Sequence, residues 1–123
     1  MIHPPSGKLS AFVATARSRR SERRARAAAR RERGWSVAHR AADLLRRQFG
    51  ATRVLAFGSL VHAGAFHARS DVDLAVWGLP AESYLRAVAA VNDLPEAFGV
   101  DLLEAERCGS ALLGAIEREG VEL

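Results

Sequence analysis

Apolar and polar positions along the chain follow helical spacing in some segments and form short apolar runs in others. Spacings of three to four residues are typical of amphipathic helices packed on a core, whereas apolar runs bounded by glycine or polar residues favour buried strands. The predicted elements are a helix at 35–50, strands at 51–57 and 71–77, a strand within 98–106, and helices that begin at Pro80 and Ser110. The order α, β, β, α, β, α predicts an α/β fold.

The first third of the chain has a different pattern. Residues 1–8 contain two prolines and a glycine, which favours disorder. Residues 10–33 are rich in alanine and arginine, and both are strong helix formers. Gly34 then either separates this helix from the next one or lies within one long helix. We therefore expect a disordered N-terminus at 1–8, an Arg-rich helical extension at 9–34 and a folded domain at 35–123.

The composition limits the class of protein. Of the 123 residues, 49% are hydrophobic and 26% are charged, which suits one globular domain. No apolar stretch approaches the roughly 20 residues that span a bilayer, and the N-terminal order of basic and apolar residues is not that of a signal peptide. We expect a cytoplasmic protein with no membrane partner. Cys108 is the single cysteine, which excludes an intrachain disulfide and a cysteine-rich zinc site.

The charge is distributed unevenly. Residues 1–33 carry ten Lys/Arg and two Glu, a net charge of +8, whereas residues 34–123 carry eight Arg and twelve Asp/Glu, a net charge of −4. The run at 17–33 has no apolar face wider than alanine, so it is either a solvated helix or a docking surface for an acidic protein or nucleic acid. Aromatic residues are absent from this run, which argues against stacking on nucleic-acid bases.

Two aspartates, Asp71 and Asp73, stand one residue apart in an apolar segment. In a strand both project to one face, while Val72 and Leu74 point to the other. Two such carboxylates repel each other unless a cation lies between them, and Mg²⁺ prefers carboxylate oxygens supplemented by water and substrate phosphates. Asp101 is a third acid in an apolar run, expected to be buried unless it binds a ligand. We therefore predict a metal site at Asp71, Asp73 and Asp101.

Gly58 and Ser59 follow directly after the strand predicted at 51–57. Gly58 allows a sharp turn, and a junction from a strand through a turn into a helix presents free backbone N–H groups that suit a phosphate. The hydroxyl of Ser59 adds a donor. We predict that these two residues hold a triphosphate whose metal is bound by the three aspartates.

This arrangement resembles the minimal nucleotidyltransferases of the DNA polymerase beta-like nucleotidyltransferase superfamily. Their signature is a Gly-Ser pair, a loop, two aspartates one residue apart and a third acidic residue on a following strand. The matching residues are Gly58, Ser59, Asp71, Asp73 and Asp101. The resemblance covers about residues 36–120 and implies a small mixed β-sheet flanked by helices. The loop between the Ser and the first Asp has eleven residues here, whereas the family typically has ten.

The resemblance also implies an activity. Such an enzyme transfers a nucleoside monophosphate, here AMP from ATP, with two Mg²⁺ ions on the three catalytic aspartates. In that scheme Asp101 also helps to deprotonate the acceptor hydroxyl. Many relatives are antitoxins encoded beside a HEPN-domain ribonuclease toxin, and some attach AMP to a tyrosine of that toxin. A HEPN toxin is therefore the expected partner and acceptor.

Other functions stay open at this point. Within the enzyme class, the acceptor is alternatively a small molecule or an RNA, although about 90 residues leave no room for a separate substrate domain. A non-catalytic antitoxin that merely covers its toxin is a second class, and the presence of all three aspartates argues against it. A nucleic-acid-binding regulator that acts through residues 17–33 is a third.

Overall fold

The structure, a computed structural model, describes residues 6–94 and 98–123. Its helices are α1 (Ser6–Phe49), α2 (Tyr84–Asn92) and α3 (Ser110–Glu119), and its strands are β1 (Arg53–Phe57), β2 (Val72–Trp77), β3 (Val100–Glu104) and β4 (Val121–Glu122). Three short 3₁₀ turns lie at Gly58–Val61, Ala81–Ser83 and Ala105–Arg107. The predicted order α, β, β, α, β, α is confirmed, and β4 is an additional strand that the sequence did not indicate.

The four strands form one mixed sheet in the order β3-β2-β1-β4. Strand β1 pairs antiparallel with β2 and with β4, whereas β2 and β3 are parallel. A parallel pair needs a crossover connection, and α2 provides it between β2 and β3. The expected small mixed sheet flanked by helices is confirmed.

The two faces of the sheet have different partners. Alternate strand residues such as Val54, Leu74 and Leu102 belong to the main core, together with the C-terminal half of α1 and with α2. The intervening positions face α3, where Leu55, Ala75 and Ile116 form a smaller cluster. Since side chains alternate along a strand, odd-numbered positions of β2 and β3 lie on the α3 side of the sheet.

Helix α1 is continuous through Gly34, so of the two alternatives for Gly34 the single long helix is confirmed and the boundary is wrong. Gly34 is buried, and a Cβ atom there would lie 2.8 Å from Leu60 Cδ1 and 2.8 Å from Phe66 Cε1. The absence of a side chain at Gly34 lets α1 pack closely against those two side chains.

The N-terminal segment expected to be disordered is described only in part. Residues 6–8 lie within α1, so they are helical, and residues 1–5 fall outside the described residues. Although α1 has 44 residues, no helix in the described part of the chain is both long and apolar enough to cross a bilayer.

Candidate active site

The three aspartates lie at the same end of the α3 side of the sheet. Asp73 on β2 is directly opposite Asp101 on β3 in the parallel register, and Asp71 comes just before β2. Val72 and Leu74, in contrast, are fully buried in the main core. The strand alternation inferred from the sequence therefore explains why Asp71 and Asp73 share a side, and the β2–β3 pairing brings Asp101 to them.

The three carboxylates differ in exposure. Asp73 is half-buried, whereas Asp71 and Asp101 are exposed. Burial, followed by the negative charges of Asp101 and Asp71, raises the pKa of Asp73 from 3.8 to about 6. Desolvation and like charges both disfavour the ionised carboxylate. The structure thus concentrates negative charge around one carboxyl group that resists ionisation.

The donor set of this cluster suits a hard cation. Within residues 6–94 and 98–123, none of the three aspartates has an ion-pair or hydrogen-bond partner for its side chain. Also within that part of the chain, no three His, Cys, Asp or Glu side chains already converge closely enough to hold a metal ion. The residues fit Mg²⁺ in chemistry, because unpartnered carboxylates with mutual repulsion are what a divalent cation stabilises.

The Gly58 turn packs directly against the aspartates. Gly58 begins the 3₁₀ turn after β1 and has a φ of +73°, which favours glycine. A Cβ atom at Gly58 would overlap Asp73 Oδ2 and lie 3.2 Å from Asp73 Cγ. Ser59 is half-buried, and its hydroxyl makes no hydrogen bond with the described residues. The two elements of the predicted site, separated by a loop in the sequence, are therefore adjacent in space.

Two residues that the sequence analysis missed lie beside Asp71 and the start of β3. Asn92, at the end of α2, accepts a hydrogen bond from the backbone N–H of Val100 at 2.8 Å and donates to the Val100 carbonyl at 2.9 Å. Gly99 leaves room for Asp71, whose Oδ1 would lie 2.8 Å from a Cβ atom at that position. These two residues, together with Asp71, Val100 and Asp101, line a shallow depression of about 370 Å³.

Helix α1 also supports the turn at Gly58–Val61. No local sequence signal indicated this contact. Arg31 donates a hydrogen bond from Nε to the backbone carbonyl of Leu60 at 3.0 Å. One turn later, Gly34 allows α1 to contact the side chains of Leu60 and Phe66. The turn that carries Gly58 and Ser59 is thus held between α1 on one side and the Asp73 carboxylate on the other.

The comparisons with known proteins add a structural similarity. No family model and no curated protein matches the chain. A crystal structure of a toxin-antitoxin with AMP-PNP contains a chain of similar fold, with a TM-score of 0.59 and 21% sequence identity. The match covers 69% of this chain and 70% of that chain. At this level of identity the similarity establishes the fold alone.

Proposed function

We propose that the chain is a Mg²⁺-dependent nucleotidyltransferase that transfers AMP from ATP to a hydroxyl group of a protein, and that it acts as the antitoxin of a HEPN ribonuclease toxin. One observation carries the proposal. The Gly58 turn lies against Asp73, Asp73 lies opposite Asp101, and Asp71 precedes the same strand. A phosphate-binding turn beside unpartnered carboxylates is the arrangement that a metal-bound triphosphate needs.

Each residue has a distinct part in the proposed reaction. Asp71, Asp73 and Asp101 would hold the metal, and Gly58 and Ser59 would donate hydrogen bonds to the triphosphate. Bound Mg²⁺ would neutralise the charge that develops on the leaving pyrophosphate. The acceptor oxygen bonds to the α-phosphorus as the bond to pyrophosphate breaks, and Asp101, exposed at the edge of the cluster, accepts the hydroxyl proton. Much of the rate enhancement would come from positioning.

Two observations support a protein as the acceptor. The described residues form one sheet with its covering helices, and no further substrate-binding layer lies beside the aspartates in residues 6–94 and 98–123. A protein acceptor would bring its own recognition surface. The fold similarity to a chain in a toxin-antitoxin structure with AMP-PNP supports a role in a toxin-antitoxin pair and a nucleotide ligand.

Calorimetry of ATP binding tests the site. We expect ATP to bind in Mg²⁺ and not in EDTA, because the three aspartates repel the bare triphosphate. Asp73→Ala and Asp101→Ala should abolish the binding, whereas Asp43→Ala should retain it, since Asp43 lies on α1 and pairs with Arg47 at 3.0 Å. Equal ATP affinity in EDTA and in Mg²⁺ would overturn the metal-dependent site.

A labelling assay tests the transfer. The purified chain is incubated with Mg²⁺ and the product of the adjacent gene, using ATP labelled at the α- or at the γ-phosphate. We expect label on the partner from α-labelled ATP only. A partner that binds without acquiring label would identify the chain as a non-catalytic antitoxin, and label on added RNA instead would identify a different acceptor.

A further inference from the structure

The N-terminal part of α1 projects away from the domain. Every residue from 7 to 26 is exposed except Ala16, which is half-buried. The first hydrogen bond from α1 to another element comes from Arg31, which bonds to Leu60. At 1.5 Å per residue, the segment 6–26, called the arm below, extends about 30 Å. The arm is therefore a helix without a partner among the described residues.

The arm carries an apolar stripe. Leu9 is 57% exposed, Phe12 73% and Val13 38%. With Ala16 they occupy positions i, i+3, i+4 and i+7, which lie along one face of a helix. A helix that stays in solution does not need exposed aromatic and branched side chains. An exposed apolar face of this kind is typical of a helix that docks into a groove.

The stripe faces the same side of α1 as the domain core. Leu45, which is fully buried, comes 36 residues after Leu9, a spacing of about ten turns at 3.6 residues per turn. Gly34, which contacts Leu60 and Phe66, is on the same face. One continuous face of α1 thus packs on the domain at its C-terminal end and is uncovered along the arm.

This geometry defines where an occupant of the stripe would sit. The arm leaves the domain beside Gly64 and Phe66, where Arg24, Ala27 and Arg31 line a shared depression. The adjoining turn contains Gly58, which touches Asp73. A molecule held under the arm would therefore lie on the side of α1 that faces this turn.

The charge of the arm indicates what kind of molecule binds the stripe. Residues 6–26 contain seven Lys/Arg and one Glu, a net charge of +6. Two arms would repel each other, which disfavours the pairing of one arm with another. A flat anionic membrane would meet the domain, which lies on the same side of α1 as the stripe. Nucleic acid would leave Phe12 and Leu9 uncovered. An apolar groove with an acidic rim satisfies both the stripe and the arginines.

We propose that the arm docks an acidic protein, with the stripe of Leu9, Phe12, Val13 and Ala16 in an apolar groove and the arginines on its acidic rim, and that this protein is the acceptor of the transfer. The proposal that the arm docks a protein depends only on the exposure, apolar stripe and charge of the arm. The role of the docked protein as acceptor rests on the function proposed above.

The test compares two charge substitutions on opposite faces of the arm. Phe12→Glu places a carboxylate in the stripe, and Ala14→Glu places the same charge on the far face, about 140° from Leu9. The probe is the protein encoded by the adjacent gene, titrated against the full chain by calorimetry. We expect Phe12→Glu to weaken binding at least tenfold and Ala14→Glu to change it less than threefold. Deleting residues 1–23, which keeps Arg31 and Gly34, should abolish it.

The other outcomes overturn the proposal. These are full affinity in Phe12→Glu, equal losses in both variants, or no binding of the adjacent gene product to the unmodified chain. Self-association, or binding to anionic vesicles, that Phe12→Glu abolishes would assign the stripe to a second copy or to a membrane. Mg²⁺-dependent ATP binding is measured in the same samples. If docking is intact but ATP binding is absent, the proposed function alone is refuted. If ATP binding is present but neither variant weakens docking, the docking role of the arm alone is refuted.

Discussion

Replacing Asp73 with asparagine should stabilise the metal-free protein, although it removes a proposed catalytic group. Burial and the charges of Asp101 and Asp71 raise the pKa of Asp73 from 3.8 to about 6. Converted directly, this difference is at most about 3 kcal/mol. Asp73 is only half-buried, so solvent screening reduces the expected gain to about 1 to 2 kcal/mol at pH 7. Asparagine has nearly the same shape and no charge, so the repulsion disappears without leaving a cavity.

The pH dependence gives the sign of the effect. Below about pH 4 the carboxyl group is protonated in both the folded and the unfolded chain, so the substitution should change stability little. Between pH 4 and pH 6 the folded protein holds the proton more tightly, and its stability falls as the pH rises. Above pH 6 both states are ionised, and the full cost is present. The advantage of Asp73→Asn should therefore grow from near zero at pH 4 to its maximum above pH 6.

Urea denaturation in EDTA at pH 4, 5, 6 and 7 measures this advantage directly, and the melting temperature at pH 7 should rise by roughly 3 to 8 °C. Asp43→Asn is the matched control, because Asp43 is exposed and paired with Arg47, and it should give no gain. Added Mg²⁺ should stabilise the unmodified protein and not Asp73→Asn. A variant less stable than the unmodified protein at pH 7, or a gain independent of pH, would refute the electrostatic reasoning.

Three further predictions concern the turn, the helix and the metal. Gly58→Ala should lower stability and abolish Mg-ATP binding, because the new Cβ atom overlaps Asp73. The control is Gly64→Ala, where φ is +83° and nothing lies within 4 Å of the new Cβ atom. In the same assays it should cost only the backbone strain, about 1 kcal/mol. Gly34→Ala should destabilise the protein by about 1 to 3 kcal/mol in urea denaturation, because the new Cβ atom crowds Leu60 and Phe66, although alanine has the higher helix propensity. The control, Gly7→Ala, places its Cβ atom where nothing lies within 4 Å, so it should be neutral or stabilising. Mg²⁺ affinity, measured by calorimetry, should rise with pH up to about 6 to 7 and then level off, because protons compete for Asp73, and a flat profile would contradict this assignment.

Local patterns were sufficient for most of the secondary structure and for the shared side of Asp71 and Asp73. The apolar runs that contain Val54 and Leu74 became adjacent strands, and the alternation along β2 placed Asp71 and Asp73 together. The periods of helices and strands depend on neighbouring residues alone, so they can be read from the chain. The sequence did not predict the two-residue strand β4. No apolar run marks it, and it is defined only by its long-range pairing with Leu55 and Ala56.

The pattern of the sequence by itself determined the α/β order, the shared side of Asp71 and Asp73, and the choice of Gly58, Ser59 and Asp101 as candidates. Only the tertiary structure decided how they meet. The sequence left open whether Gly34 separates two helices or lies within one, and the structure shows that its missing side chain makes room for Leu60 and Phe66 inside a continuous helix. The exposure of Asp101, the contact of Gly58 with Asp73 and the direction of the arm likewise depend on packing between distant segments, which no local pattern encodes.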